Sequence, residues 1–183
     1  MITTEKKFVH DLIADLLGLE KGKVIWYYPN APTPSRPYAT LQVFAEVGEA
    51  QENIKKTSIA GKYNVVVPVT QTLQVQLYET IGTDVCQELN ILARKLELPT
   101  TADRCFANGV AFFDAESVVD LTEVVDDASA MPRASIDLFV RTNSEIVDDL
   151  GVIEKVKVDE NIIIDDTETL NRQYTIAIQN GGN

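Results

Sequence analysis

The chain has 183 residues, of which 45% are hydrophobic and 24% are charged, and this composition is that of a globular domain rather than a disordered segment. Its formal net charge of −12 argues against a surface that grips nucleic acid, because such a surface needs clustered basic residues to neutralise phosphates. No apolar run approaches the roughly 20 residues that span a bilayer, and residues 1–10 contain no apolar signal-peptide core. We therefore expect a soluble protein with no membrane partner.

The first half of the chain predicts one helix and then a sheet. Residues 4–18 carry apolar side chains at helical spacing, with Gly18 as a stop, and residues 24–28 form a short β-prone run. Four prolines within residues 29–37 predict an extended surface loop. Residues Gly48–Pro68, with a turn at Gly61-Lys62, predict a long projecting hairpin between two strands. In those two strands, alternation predicts that Leu41, Val43, Ala45, Val47, Leu73, Val75 and Leu77 face inward.

The second half begins with the most regular helical pattern of the chain, in which Asp84 and Gln87 resemble a capping box and Pro99 marks the end. Further strands are predicted at residues 110–113, 118–121 and 134–140. Three β-prone runs follow after Gly151, at 152–158, 162–164 and 174–178, separated by acidic turns.

The predicted fold class is α+β. It comprises a mixed or antiparallel β-sheet packed against two main α-helices, with a long projecting hairpin and a β-rich C-terminal arm. We place the α+β domain at residues 1–158 and the arm at residues 159–183. The arm would complete a sheet in this chain or in a neighbour.

The sequence offers little for chemistry, and we predict no catalytic residue, no cofactor and no metal site. The only histidine, His10, is expected on a helix surface beside Asp11, with no nucleophile motif nearby. Cys86, predicted on a helix, and Cys105, predicted on a loop, lack metal or redox spacing and are expected to be buried thiols. The acidic pairs lack the ligand spacing of a calcium loop, and no glycine motif for phosphate occurs.

Two groups of residues are candidates for an assembly interface instead. Trp26, Tyr27 and Tyr28 form an aromatic cluster beside the proline loop, which is more typical of core or protein interface than of a ligand pocket. Lys55, Lys56 and Lys62 gather three of the sixteen basic residues on the predicted hairpin. We expect the hairpin to dock on an acidic surface of a neighbouring subunit or of another protein of the assembly.

Three segments carry a resemblance to a known family. The segments Pro34–Leu41, Gln76–Asp84 and Arg133–Leu138, in this order of elements, resemble tailed-bacteriophage neck proteins of the tail-terminator class, over roughly residues 5–158. The resemblance implies a virion structural protein with no catalytic residues. Its subunits would form a hexameric ring that terminates the tail tube and joins it to the head-side connector. The partners implied are other copies of the chain, tail tube proteins, sheath proteins in a contractile tail, and the connector.

The resemblance also gives a meaning to the uneven charge. Residues 114–168 contain sixteen Asp and Glu against four Lys and Arg, so this segment holds the whole net charge. DNA would pass through the ring without specific binding, and carboxylates facing the lumen would repel its phosphates. The alternative is that these residues are solvated turns on the outer wall. The candidates for the lumen are Glu123, Asp126, Asp127, Asp148 and Asp149.

Two other classes of protein stay open from the residues alone. One is another phage or contractile-machine building block, such as a head-closure, tube or baseplate protein, which would use the same hairpin and arm. The other is a small enzyme or ligand-binding domain, which would need a concave pocket with converging polar groups. If the chain is a tail terminator, we expect it at the head–tail junction of the virion, after assembly in the host cytoplasm.

Overall fold

The computed structural model describes residues 3–29, 32–48, 52–59, 61–126, 129–149, 155–165 and 168–177. Three helices and a mixed sheet confirm the predicted α+β class. The helices are α1 (Thr3–Leu17), α2 (Val85–Leu96) and α3 (Pro99–Phe106). The strands are β1 (Val24–Trp26), β2 (Tyr38–Gly48), β3 (Asn53–Lys56), β4 (Lys62–Tyr78), β5 (Ala111–Ala115), β6 (Val119–Asp120), β7 (Glu123–Asp126), β8 (Ser129–Met131), β9 (Arg133–Asp149), β10 (Lys155–Asp165) and β11 (Glu168–Ala177).

The main sheet has the strand order β1-β2-β4-β9-β5, with β3 also pairing with β4 and β6 with β9. Strands β1 and β2 are parallel, whereas β4 is antiparallel to β2 and β9 is antiparallel to β5. The chain divides into two compact units, residues 1–53 with 66–145 and residues 54–65 with 146–183. The predicted domain boundary at residue 158 stays a prediction.

Helices and sheet of the first unit share one hydrophobic core. Asp84 caps α2 as predicted, since its Oδ1 accepts a hydrogen bond of 3.0 Å from the Gln87 amide. The helix then buries Leu89 and Leu92 completely. On the sheet, alternate residues of β4 and β9 face this core, as their period-two pattern predicts. They are Leu73, Val75, Leu77, Ala134, Ile136, Leu138 and Val140.

Strand β2 departs from the predicted pattern beyond its middle. Leu41 is buried, but Ala45 is exposed and the side chain of Val47 is 61% exposed. The register of β2 against β4 shifts between Val43 and Ala45, and none of the core residues identified in β2 lies beyond Val43. The inward orientation predicted for Ala45 and Val47 is therefore wrong.

Pro99 begins a helix rather than only ending one. It occupies the first turn of α3, where a missing amide hydrogen costs nothing. Cys105 therefore lies on a helix and is buried there, not on a loop as predicted. Cys86 lies on α2, as predicted, but is only half-buried.

The second unit contains two pairs of neighbouring strands. Strand β3 pairs with β4 through the predicted turn, in which the Thr57 amide donates to the Lys62 carbonyl at 3.2 Å and Gly61 adopts a φ of 80°. Strands β10 and β11 form an antiparallel pair. Asp159 and Glu160 lie within β10, opposite residues of β11, so the acidic turn predicted there is wrong.

Candidate assembly surfaces

The face of the sheet opposite the core carries a row of polar and aromatic side chains. Residues of β2 and β4 stand directly opposite one another there, Tyr38 against Tyr78 and Thr40 against Gln76. Gln76 donates a hydrogen bond to the side chain of Gln74 on the same strand. Gln74 in turn donates to Asp137 Oδ1 of β9 at 2.9 Å, so the row crosses to a third strand. We call this surface the polar face.

At one end of the polar face lies a group that we call the tyrosine–arginine cluster, comprising Arg36, Tyr38, Gln76, Tyr78 and Arg133. The two tyrosine rings stack with centroids 4.4 Å apart and planes 7° from parallel. The guanidinium carbons of Arg133 and Arg36 lie 5.1 and 5.8 Å from the centroid of Tyr78. These distances are within the range of cation–π attraction.

Hydrogen bonds fix the cluster in place. Arg133 Nη2 donates to Gln76 Oε1 at 2.9 Å, and the Tyr78 hydroxyl donates to the same oxygen at 3.0 Å. Arg36 Nη1 donates to the carbonyl of Glu79 at 3.1 Å. Burial raises the pKa of the Tyr38 phenol. The cluster is therefore a preorganised cationic and aromatic surface.

The cluster unites the three segments on which the family resemblance depends. Arg36 and Tyr38 belong to the first segment, Tyr78 to the second and Arg133 to the third. Our sequence interpretation did not name these residues as a site. The short motifs themselves were the only signal that could have pointed to them.

The predicted aromatic interface residues lie in two different environments. Tyr27 and Tyr28 have side chains that are 53% and 66% exposed, and both line an open cavity of about 150 Å³ next to the cluster. Trp26 is half-buried against the core, with Lys6 Nζ 5.6 Å from its ring centroid. Sequence reasoning grouped the three, but the structure brings only the tyrosines to the cavity. The cavity is lined by Ile25, Tyr27, Tyr28, Pro29, Thr33, Tyr38, Thr40 and Tyr78.

The predicted lysines belong to the β3–β4 hairpin. Lys55 and Lys56 are exposed on β3, and Lys62 is half-buried at the start of β4. Within the described ranges, none of the three forms an ion pair with a carboxylate of its own chain. Adjacent residues of a strand point to opposite faces, so Lys55 and Lys56 present charge on both sides of β3.

The five candidate lumen carboxylates are dispersed over several elements. Glu123 is on β7, with Oε1 3.7 Å from Arg133 Nη1. Asp148 and Asp149 are exposed at the end of β9. They therefore lie in a strand, whereas the alternative to a lumen position placed them in solvated turns. Asp126 ends β7, and Asp127 lies outside the described residues.

The histidine and the two cysteines, which are the side chains best suited to catalysis, are held in hydrogen bonds or partly buried. His10 is half-buried, not on the open surface, with Nε2 2.8 Å from the Val24 carbonyl and Nδ1 2.9 Å from Asp11 Oδ1. The pKa of Asp11 is lowered by hydrogen bonds from Lys21 and His10. Burial raises the pKa of the Cys86 and Cys105 thiols, which disfavours the reactive thiolate. In the part of the chain that the structure describes, no group of three or more His, Cys, Asp or Glu could hold a metal ion.

These observations define an α+β protein whose preorganised surfaces suit contact with other molecules. The chain belongs to the phage neck terminator protein family, whose family pattern matches residues 6–174. The match includes most of the β10–β11 pair, beyond the point at which our resemblance stopped. No curated protein sequence matches the chain. Across the described ranges, no helix is both long and apolar enough to cross a membrane.

Arg133→Lys is expected to lower the free energy of unfolding by about 1–2 kcal/mol, because lysine keeps the charge but cannot stack a planar group on Tyr78 while it donates to Gln76. Urea unfolding of the purified variant measures this difference. Arg94→Lys, at an exposed position of α2, is the matched control and should change stability by less than about 0.5 kcal/mol. Equal effects at both positions would show that the cluster contributes nothing to stability.

Proposed function

We propose that this neck terminator protein forms a hexameric ring that closes the finished tail tube and joins it to the head-side connector. The observation that carries the proposal is the family match over residues 6–174, which supports a structural role in the phage neck. The partners would be further copies of the chain, tube proteins, sheath proteins where the tail contracts, and the connector. The ring would assemble in the host cytoplasm and remain in the virion.

The surfaces described above supply the contacts for this role. Tyrosine and arginine are the residue types that dominate binding energy at protein interfaces, and the tyrosine–arginine cluster holds two of each in fixed positions. The exposed Tyr27 and Tyr28 extend this surface across the neighbouring cavity. Lys55, Lys56 and Lys62 would add charge that sets the register of the contact.

Two cavities in the described part of the chain are small compared with ordinary ligand sites. The aromatic cavity has about 150 Å³, and a second one, between α2 and β5, has about 90 Å³. Small-molecule sites typically enclose about 300–1,000 Å³. On the basis of the family match, we propose that the protein is not an enzyme and acts by assembly.

In such a ring, Glu123, Asp126, Asp127, Asp148 and Asp149 would line the channel for DNA. Their carboxylates would repel phosphates and let the genome slide without specific binding. The exposure of Asp148 and Asp149 on β9 supports their access to such a channel.

The ring is tested by measuring the molar mass of the purified protein by light scattering, alone and after mixing with isolated tails. We expect either a closed oligomer in solution or one that forms at the tail end, because heterologous contacts that close a rotation give rings of defined size. A chain that stays monomeric at high concentration and also fails to bind tails would contradict the proposal.

A further inference from the structure

One edge of the main sheet has no pairing strand in the described part of the chain. Strand β5 and the residues after it run along β9 on one side, through β5–β9 and β6–β9 pairing and through bonds from the Glu116 and Leu121 amides. No described strand pairs with their other side. Phe113 and Val119 on this edge are 50% and 52% exposed. Exposed edges invite pairing with another chain unless something covers them.

The same edge is predominantly acidic, and the guanidinium of Arg141 on β9 lies 5.0 Å from the Phe113 ring centroid. Residues 105–132 contain six carboxylates and no lysine or arginine. Asp114, Glu116 and Asp120 on the edge are exposed, and none of them forms an ion pair with any basic side chain in the described ranges. Hydrogen bonds from Thr122 lower the pKa of Asp120, so its charge persists in mildly acidic solution. We call residues 111–121 the acidic edge.

The β3–β4 hairpin has the complementary character. Its lysines are cations without an ion-pair partner in the described chain, which matches the unpaired carboxylates of the acidic edge. The hairpin also exposes two large apolar side chains, Ile54 at 54% and Ile59 at 58%. Both surfaces therefore combine an excess of charge of one sign with a pair of exposed apolar residues.

We propose that the β3–β4 hairpin of one subunit docks on the acidic edge of the next subunit in the ring. Lys55, Lys56 and Lys62 would border the contact on both sides of β3 and lie close to Asp114, Glu116 and Asp120, with the exposed apolar residues of the two surfaces between them. The occupant is a second copy because the same chain carries both halves of a complementary pair. This inference rests on the proposed ring and names the contact that closes it.

The arrangement makes the contact heterologous. Each subunit would give its hairpin to one neighbour and receive a hairpin from the other, which is the head-to-tail geometry that closes into a ring. Opposite charges would set the register and exclude wrong pairings more than they would raise affinity. Salt above the physiological range should weaken the contact, since the Debye length there falls below about 8 Å.

The test uses two charge-reversed chains. The hairpin variant carries Lys55→Glu, Lys56→Glu and Lys62→Glu, and the edge variant carries Asp114→Lys, Glu116→Lys and Asp120→Lys. Each variant alone places like charges at every contact, so we expect assembly on tails to fall at least about tenfold. An equimolar mixture should recover assembly to within about threefold of the parent, because alternating subunits restore opposite charges at both kinds of contact.

The control is a third chain with Asp15→Lys, Glu20→Lys and Glu145→Lys, which changes the same total charge at exposed positions outside the acidic edge. Alone it should assemble like the parent, and in an equimolar mixture it should not bring the hairpin variant into the rings. Melting curves verify that each chain folds. If a triple variant does not fold, the test is repeated with two single variants, Lys56→Glu for the hairpin and Glu116→Lys for the edge. The inference is overturned if single variants assemble normally or if the mixture stays as defective as its components. Failure of the parent chain to assemble at all would instead refute the proposed ring.

Discussion

Leu89→Ala is expected to lower the free energy of unfolding by about 2–5 kcal/mol, the cost of removing buried methyl groups and leaving a cavity. The Leu89 side chain is fully buried where α2 contributes to the core. The acidic edge and the tyrosine–arginine cluster belong to the unit that contains this core, so the variant should also assemble poorly at physiological temperature. Chemical denaturation measures the loss directly.

Gln87→Ala is the control for this prediction. Gln87 is exposed on the same helix, and the hydrogen bond from its backbone amide to Asp84 survives the change. Its stability should stay within about 0.5 kcal/mol of the parent. A loss at Leu89 no greater than that at Gln87 would mean that α2 does not cover the core as described.

Asp148→Lys combined with Asp149→Lys is expected to make assembled rings retain DNA, by at least about tenfold over the parent at low salt. The reason is that lysines facing a lumen attract phosphates where carboxylates repelled them. The retention should fall steeply as salt rises. Each contact between a lysine and a phosphate releases counterions, and this release is less favourable when the salt concentration is high. Filter binding of DNA to purified rings measures it.

Glu97→Lys with Asp103→Lys changes the net charge by the same amount at exposed positions of the helical region. Rings of this control should retain much less DNA than the β9 variant. If both variants retain DNA equally, only net charge matters, and the channel role of Asp148 and Asp149 is wrong. That outcome would leave the terminator function itself untouched.

Local patterns predicted the central strands and the main helices because local chemistry determines them. Period-two alternation identified Leu73, Val75 and Leu77 as core residues, and all three are buried. The short-range pairing of Asp84 with Gln87 likewise predicted where α2 begins, since a cap involves only neighbouring residues.

The same patterns were misleading where a tertiary contact decides the outcome. Alternation shows that a strand has two different faces, but it does not show how far the core extends along it. Ala45 and Val47 continue the alternation of β2 and are nevertheless exposed. Pro99 was interpreted as a stop, although proline is equally suited to the first turn of a new helix.

The tyrosine–arginine cluster was beyond local pattern reading altogether. The hydrogen bond from Arg36 to Glu79 spans 43 residues of sequence, and the one from Arg133 to Gln76 spans 57. No spacing rule links such positions, because the sheet topology alone brings them together. The lysines and carboxylates were easier to find, since an uneven charge distribution is visible in the sequence itself.

The terminator function is tested most directly by electron microscopy of isolated tails after incubation with the purified protein. The terminator function predicts a closed ring with sixfold symmetry at one end of the tail tube, and at that end only. Tails that carry no additional density at either end, or protein bound along the whole tube without a ring, would contradict it.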